Sequence, residues 1–108
     1  GVRVFVKRDD CTGLALGGNK ARKLEYLFAE ARHLSADIVL TTGGAQSNHA
    51  RMTAAAARRL GMEAVLFLND HPPAEEQGNL LLDRMFGAEV HFVPEVTLAE
   101  MYARMGAR

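Results

Sequence analysis

With 108 residues the chain has room for one domain and a modest core, and its 13 basic and 13 acidic side chains cancel. The basic residues are scattered apart from Lys20-Ala21-Arg22-Lys23 and Arg58-Arg59, so the sequence lacks the electrostatic footprint of a nucleic-acid binder. The single cysteine, Cys11, excludes an internal disulfide and any multi-cysteine metal centre and reads as a buried thiol, while no apolar run reaches membrane-spanning length. A reducing cytoplasm is the expected compartment, with neither nucleic acid nor membrane as a partner.

Taken in order, Val2, Val4 and Val6 alternate with Arg3, Phe5 and Lys7, the period of a strand with one more polar face. Arg8-Asp9-Asp10 and Thr12-Gly13 mark its exit, the two aspartates reading as turn and charge-pair residues. Leu14-Ala15-Leu16 leads to a tight turn at Gly17-Gly18-Asn19. Leu24, Leu27, Phe28, Ala31 and Leu34 recur at helical spacing and predict a helix over residues 20–34. Ser35-Ala36-Asp37 separates it from the apolar run Ile38-Val39-Leu40, which suits a buried strand. Two threonines and Gly43-Gly44 break that period, and Ala45-Gln46-Ser47-Asn48-His49 feeds an alanine-rich helix with Gly61 as its stop.

Residues 64–68 form a third strand pattern, closed by Asn69-Asp70-His71-Pro72-Pro73. Gly78-Asn79 precedes a helix carrying Leu80, Leu81, Met85 and Phe86, which Gly87 ends. Residues 90–93 give a fourth strand, and Thr97 caps a last helix with Leu98, Met101, Tyr102 and Met105 on one face. Met52, Met62, Met85, Met101 and Met105 read as core filler. Strands alternating with helices across short glycine-marked loops predict an α/β fold, an open parallel sheet with helices on both faces. The pattern divides as 1–35, 36–94 and 95–108. Gly1 enters almost directly into a strand and Arg108 stops just after an amphipathic run, so an N-terminal fragment of a longer chain is expected.

Two places carry chemistry. A strand that stops at glycines and opens a helix presents free backbone N–H groups at the positive end of a dipole, an anion site. Ser47, Asn48 and His49 stand there, although Ser47 or Asn48 in that position can also simply cap the helix. Lys20 begins its helix directly after Gly17-Gly18-Asn19, where the helix dipole, Arg22 and Lys23 all disfavour an ammonium. A readily neutral amine attacks carbonyl carbon; the alternative is an exposed surface lysine. His33, His71 and His91 lack ligand-like spacing, so no metal is expected.

The run Gly17-Gly18-Asn19-Lys20-Ala21-Arg22-Lys23-Leu24-Glu25-Tyr26-Leu27 closely resembles the cofactor-lysine segment of D-cysteine desulfhydrases and 1-aminocyclopropane-1-carboxylate deaminases. These are pyridoxal-phosphate enzymes of the tryptophan synthase β-like fold (fold type II). Val6-Lys7-Arg8-Asp9-Asp10 with Thr12-Gly13 resembles the family's opening strand and turn. Gly43-Gly44-Ala45-Gln46-Ser47-Asn48-His49-Ala50-Arg51 resembles its substrate loop, and Gly78-Asn79-Leu80-Leu81-Leu82-Asp83-Arg84 with Gly87-Ala88-Glu89 a later helix. Four matches in the same order are far more specific than either glycine turn alone.

The resemblance implies that Lys20 bonds covalently to pyridoxal 5'-phosphate and that Asn48 hydrogen-bonds the cofactor's ring hydroxyl. Lys23 meets the phosphate or, equally, points to solvent. Ser47, with backbone N–H groups of residues 47–49, holds the carboxylate of a small amino acid, and His49 lies in the same substrate site. Lys20 or Ser47 removes the α-proton. Residues 1–35 then belong to the large domain, 36–94 to the small one, and 95–108 to the start of a further helix, in an enzyme expected to be a homodimer. His49 tilts the expected activity toward D-cysteine β-elimination, because the deaminases more often carry glutamine there. The alternatives are 1-aminocyclopropane-1-carboxylate deaminase, cysteate sulfo-lyase and, from another class, a non-catalytic parallel α/β binding module. Against the last, neither GxGxxG nor GxxxxGK[ST] occurs.

Overall fold

In the computed structural model, which describes residues 1–108, the apolar run of one central strand organises the sheet. The elements are α1 (Ala21–His33), β1 (Ile38–Gly43), α2 (Asn48–Leu60), β2 (Glu63–Leu68), α3 (Gly78–Met85), β3 (Glu89–Phe92) and α4 (Leu98–Gly106). The sheet has the order β1-β2-β3 and is parallel throughout, with Leu40 opposite Val65, Gly43 opposite Leu68, and Leu68 opposite Phe92. β2 is therefore paired along both edges, and its unbroken apolar run from Ala64 to Leu68 calls for cover on both faces.

Alternation along β2 sorts its side chains into two cores. Ala64, Leu66 and Leu68 pack with Leu24 and Phe28 of α1, with α2 and with Leu80 of α3. Val65 and Phe67 face the other way and meet Val93 and Met101 of α4. Helices thus lie on both faces, α1 to α3 on one and α4 on the other. α2 seats on the sheet through a stripe of methyl groups, Ala50, Ala54 and Ala57, each no more than 1% exposed. Gly61 ends it at φ 74°, the left-handed conformation that a glycine adopts without strain. Thr97 opens α4 with a capping box: its Oγ1 accepts from Glu100 N at 3.3 Å, and its own N–H donates to Glu100 Oε2 at 2.7 Å.

Three expectations are corrected. Residues 2–7 form no strand, and Val2, Val4, Phe5 and Val6 are 75–93% exposed. A strand pattern becomes a strand only where a neighbour takes its N–H and C=O groups, and no strand of this chain runs beside it. Cys11 is exposed, because it sits in the 3-10 turn Asp9–Cys11, whose residues all lie outside the core. Met85 is 70% exposed at the end of α3, whose inward residues are Leu80 and Asp83.

Asp83 is 0% exposed, and neither of its carboxylate oxygens has a hydrogen-bond partner. Burial pushes this carboxyl up from 3.8 to about 7, against the opposing pull of Arg51 and then Arg84. A carboxyl whose pKa is raised on folding favours the native state below its unfolded pKa, and that advantage fades as pH climbs through the folded value. Between about pH 4 and pH 7 the native state therefore loses stability on this account, on the order of 4 kcal/mol at most. Asp83→Asn is expected to flatten that limb: its denaturation midpoint should fall less than the parent's between pH 5 and pH 8. Parallel slopes for the two proteins would show that Asp83 does not titrate in this range.

Candidate active site

β1 ends at Gly43, and the chain turns through residues 44–47 to open α2 at Asn48. Ser47 is the N-cap, its Oγ accepting from Ala50 N at 3.2 Å while its own N–H donates to Gly44 O at 3.0 Å. A Cβ on Gly43 would lie 2.7 Å from both Cβ and Oγ of Ser47, so glycine lets the cap close against the strand end. Asp70, just beyond β2, braces the turn by accepting from Ala45 N at 2.7 Å. The backbone N–H groups of Asn48 and His49 have no acceptor within the chain. The expected set of three free N–H groups is thus reduced to two, because that of Ser47 is already committed.

His49 sits half-buried in the first turn, its Nε2 2.9 Å from Thr41 Oγ1 and its Nδ1 buried without a partner. Its pKa is lowered by burial first, and then by the positive charges of Lys23 and Lys20. All three effects disfavour the protonated imidazole, and both lysines lie close enough for their charges to be felt there. A cavity of about 200 Å³ adjoins it, lined in part by Leu24, Thr41, His49 and Thr53. The larger cavity, about 560 Å³ along α1 and α2, contains none of Lys20, Ser47, Asn48 or His49.

Lys20 is the half-buried N-cap of α1, and Lys23 is exposed in its first turn. The preceding turn is pinned from inside: Gly17 N donates to Leu14 O and Gly18 N to Asp9 O, each at 2.9 Å. Asp9 also pairs with Lys7 at 2.9 Å and Arg22 at 3.1 Å, while Arg8 pairs with Asp10, so both aspartates serve as turn and charge-pair residues. From α2, Arg51 Nη2 donates to Gly17 O at 2.7 Å, and a Cβ on Gly18 would stand 3.0 Å from Met52 Sδ. Packing of Leu24 and Phe28 over α2 thus brings the Lys20 turn to the helix start that carries Ser47, Asn48 and His49.

Sequence reasoning gave no role to Arg51, Asn79 or Thr41. Asn79 opens α3 beside this loop; its Nδ2 donates to Gln46 O at 2.8 Å and to Asn48 Oδ1 at 3.0 Å. The available signal was a charged residue standing among alanines, Arg51 between Ala50 and Met52, at a place where an apolar side chain would pack more cheaply.

The donor set suits a phosphorylated aromatic aldehyde such as pyridoxal phosphate. Lys20 carries an amine that could meet the aldehyde carbon, and Asn48 an amide that could meet a ring hydroxyl. Two free N–H groups at a helix start, with Lys23 nearby, suit anionic oxygens. The family model described as "pyridoxal-phosphate dependent enzyme" matches residues 1–107. A putative 1-aminocyclopropane-1-carboxylate deaminase of Pyrococcus horikoshii is 51% identical over 89 residues, covering 82% of this chain and 27% of its own length. The bifunctional D-cysteine desulfhydrase/1-aminocyclopropane-1-carboxylate deaminase of Arabidopsis thaliana, named as mitochondrial, is 43% identical over 112 residues, 99% of this chain and 27% of its own. A solved 1-aminocyclopropane-1-carboxylate deaminase homologue superposes with a TM-score of 0.83 at 44% identity, covering 94% of this chain and 30% of that one. The chain spans less than a third of the length of these relatives. No helix is long and apolar enough to cross a membrane. A lysine-bearing glycine turn set against a strand–helix anion site, matched from end to end at this identity, places the chain in the pyridoxal-phosphate-dependent enzyme family, on the fold type II architecture, among relatives named 1-aminocyclopropane-1-carboxylate deaminase and D-cysteine desulfhydrase.

Proposed function

We propose that the full-length protein is a D-cysteine desulfhydrase, with Lys20 as its cofactor lysine. The overall change is D-cysteine plus water to pyruvate, hydrogen sulfide and ammonia. The observation that supports this reading is the meeting of the Lys20 turn with the 47–49 helix start, beside the half-buried His49. When bound, pyridoxal phosphate supplies an electron sink for the carbon next to the substrate carboxylate.

The chain's own residues do the rest. Ser47 Oγ already accepts from Ala50 N, so its hydroxyl hydrogen is free to donate to the substrate carboxylate, beside the N–H groups of Asn48 and His49. Asn48 would meet the cofactor's ring hydroxyl and Lys23 its phosphate. As a free amine, Lys20 Nζ would be the base that accepts the α-proton, with Ser47 Oγ as the competing candidate.

A second reading, 1-aminocyclopropane-1-carboxylate plus water to 2-oxobutanoate and ammonia, is favoured by the deaminase names that the similar relatives carry. Parallel assays on the full-length enzyme decide: sulfide and pyruvate from D-cysteine support the first, 2-oxobutanoate alone the second. A colourless protein that turns over neither would leave only a non-catalytic α/β module. The same reading takes the enzyme as a cytoplasmic homodimer, which light scattering and cell fractionation test.

Ser47→Ala and Asn48→Ala separate the two binding roles. Ser47→Ala removes a hydrogen bond to a charged group, about 1.5–3 kcal/mol, so kcat/KM is expected to drop by roughly one to two orders of magnitude. It also removes the α2 cap, which costs about 0.5–2 kcal/mol of stability. Its absorbance before substrate is added should match the parent, whereas Asn48→Ala should shift it. The opposite pattern of resting spectra would reverse the two assignments.

A further inference from the structure

Arg51 is a cation only 7% exposed, and its hydrogen bonds go to neutral groups on two other segments. Nη2 donates to Gly17 O at 2.7 Å, and Nη1 to Asn79 Oδ1 at 3.0 Å, while Nε has no partner. Burying a guanidinium is costly, and a leucine or methionine would fill the same space at lower cost. What an apolar residue cannot do is hold the Gly17 backbone and the Asn79 side chain at fixed distance with a rigid planar fork.

Asn79 is committed on every side. Its Oδ1 accepts a hydrogen bond from Arg51 Nη1, its Nδ2 donates to Gln46 O at 2.8 Å and Asn48 Oδ1 at 3.0 Å, and its backbone N–H donates to Gln46 Oε1 at 2.8 Å. Gly78 permits this approach: it lies at φ +61°, and a Cβ there would stand 2.4 Å from Gln46 Oε1. A continuous path therefore runs from the Gly17 carbonyl through Arg51 and Asn79 to the Asn48 side chain. Because Asn79 donates to Asn48 Oδ1, the Asn48 amide is oriented with its NH2 free to donate elsewhere.

We propose that Arg51 and Asn79 are positioning residues for the reaction: Arg51 fixes the turn that presents Lys20, and Asn79 fixes which end of the Asn48 amide faces the cofactor. The two halves of the site, 34 and 31 residues apart in sequence at these contacts, then hold one geometry. The proposal rests on the roles given above to Lys20 and Asn48.

Two variants of the full-length protein test it. Asn79→Asp keeps an acceptor for Arg51 and makes that bond charge-assisted, but it loses both side-chain donations to the Gln46–Asn48 loop. A purely structural role predicts parent-like spectra and turnover. A positioning role predicts a shifted absorbance of the bound cofactor without substrate, and kcat lowered about tenfold or more with KM changed far less. Arg51→Lys keeps the charge beside Asp83 but cannot span both acceptors. In the cofactor-free protein, amide exchange at residues 17–20 should then quicken about tenfold or more, with β2 unchanged. Parent-like absorbance and kcat in Asn79→Asp would overturn the proposal. So would parent-like exchange at 17–20 in Arg51→Lys, or a uniform rise across the chain. If the parent enzyme turns over no amino acid, the functional reading fails by itself, and the exchange result still decides whether the clamp exists.

Discussion

In the full-length enzyme, Lys20→Ala is expected to leave no cofactor attached after borohydride reduction and to cut turnover by at least roughly a thousandfold. One residue is asked to supply both the covalent anchor and the base, so its loss removes two contributions together. The nearby amine, Lys23, cannot substitute, because it stands one turn further along α1 and is exposed, whereas Lys20 is the half-buried residue that the Gly17 turn delivers. Digestion of the reduced parent followed by mass spectrometry identifies the labelled residue. Label on any other lysine would show that the turn serves some other purpose.

Gly17→Ala should be the most damaging single methyl in the chain. Gly17 lies at φ +80°, and a Cβ there would stand 1.8 Å from the backbone carbonyl oxygen of Asp10, which no rotamer change can relieve. The strained φ costs about 1–3 kcal/mol and the overlap about as much again, and the turn holding Lys20 has to open to accept the methyl. Gly13→Ala is the control, since Gly13 has a similar φ of +78° with nothing within 4 Å of the added Cβ. The expected result is that Gly17→Ala loses bound cofactor and denaturation midpoint together, while Gly13→Ala shows the smaller strain effect alone. Equal effects would mean that the close approach to Asp10 contributes nothing.

Much of the fold was legible because local chemistry and tertiary packing agree. Ile38-Val39-Leu40 reads as a strand and is one, although at the sheet edge it is only half-buried and not the buried strand expected; Gly61 takes the left-handed conformation its placement suggests, and Thr97 caps α4 with the partner three residues on. Residues 2–7 show the limit. Their alternation states a preference for pairing, but pairing needs a second strand, and periodicity carries no information about whether one is present. Burial has the same character: Cys11 and Met85 belong to residue types often found inside, yet each lies on an element whose inward positions are taken or absent.

For the site, Lys20, Ser47, Asn48 and His49 were readable as residue types at helix starts. Their meeting was not, because it depends on how Leu24 and Phe28 lay α1 against α2. Arg51 and Asn79 were hidden for a related reason. Their meaning lies in hydrogen bonds spanning 28 to 34 residues, which no local pattern encodes.

The methyl stripe under α2 bears on how such an enzyme can change over generations. Ala50, Ala54 and Ala57 enter the core with nothing but Cβ, so at these three positions the helix has no long side chain that could rearrange to absorb a larger neighbour. A bulkier residue there acts as a shim, lifting the helix start together with the loop it carries, so a distant methyl is felt at Ser47, Asn48 and His49 at once. New substrate preferences must therefore arise in the loops and at exposed helix ends, where a change stays local. The stripe itself is closed to novelty, and a library randomised at those three positions should return little besides alanine, glycine and serine.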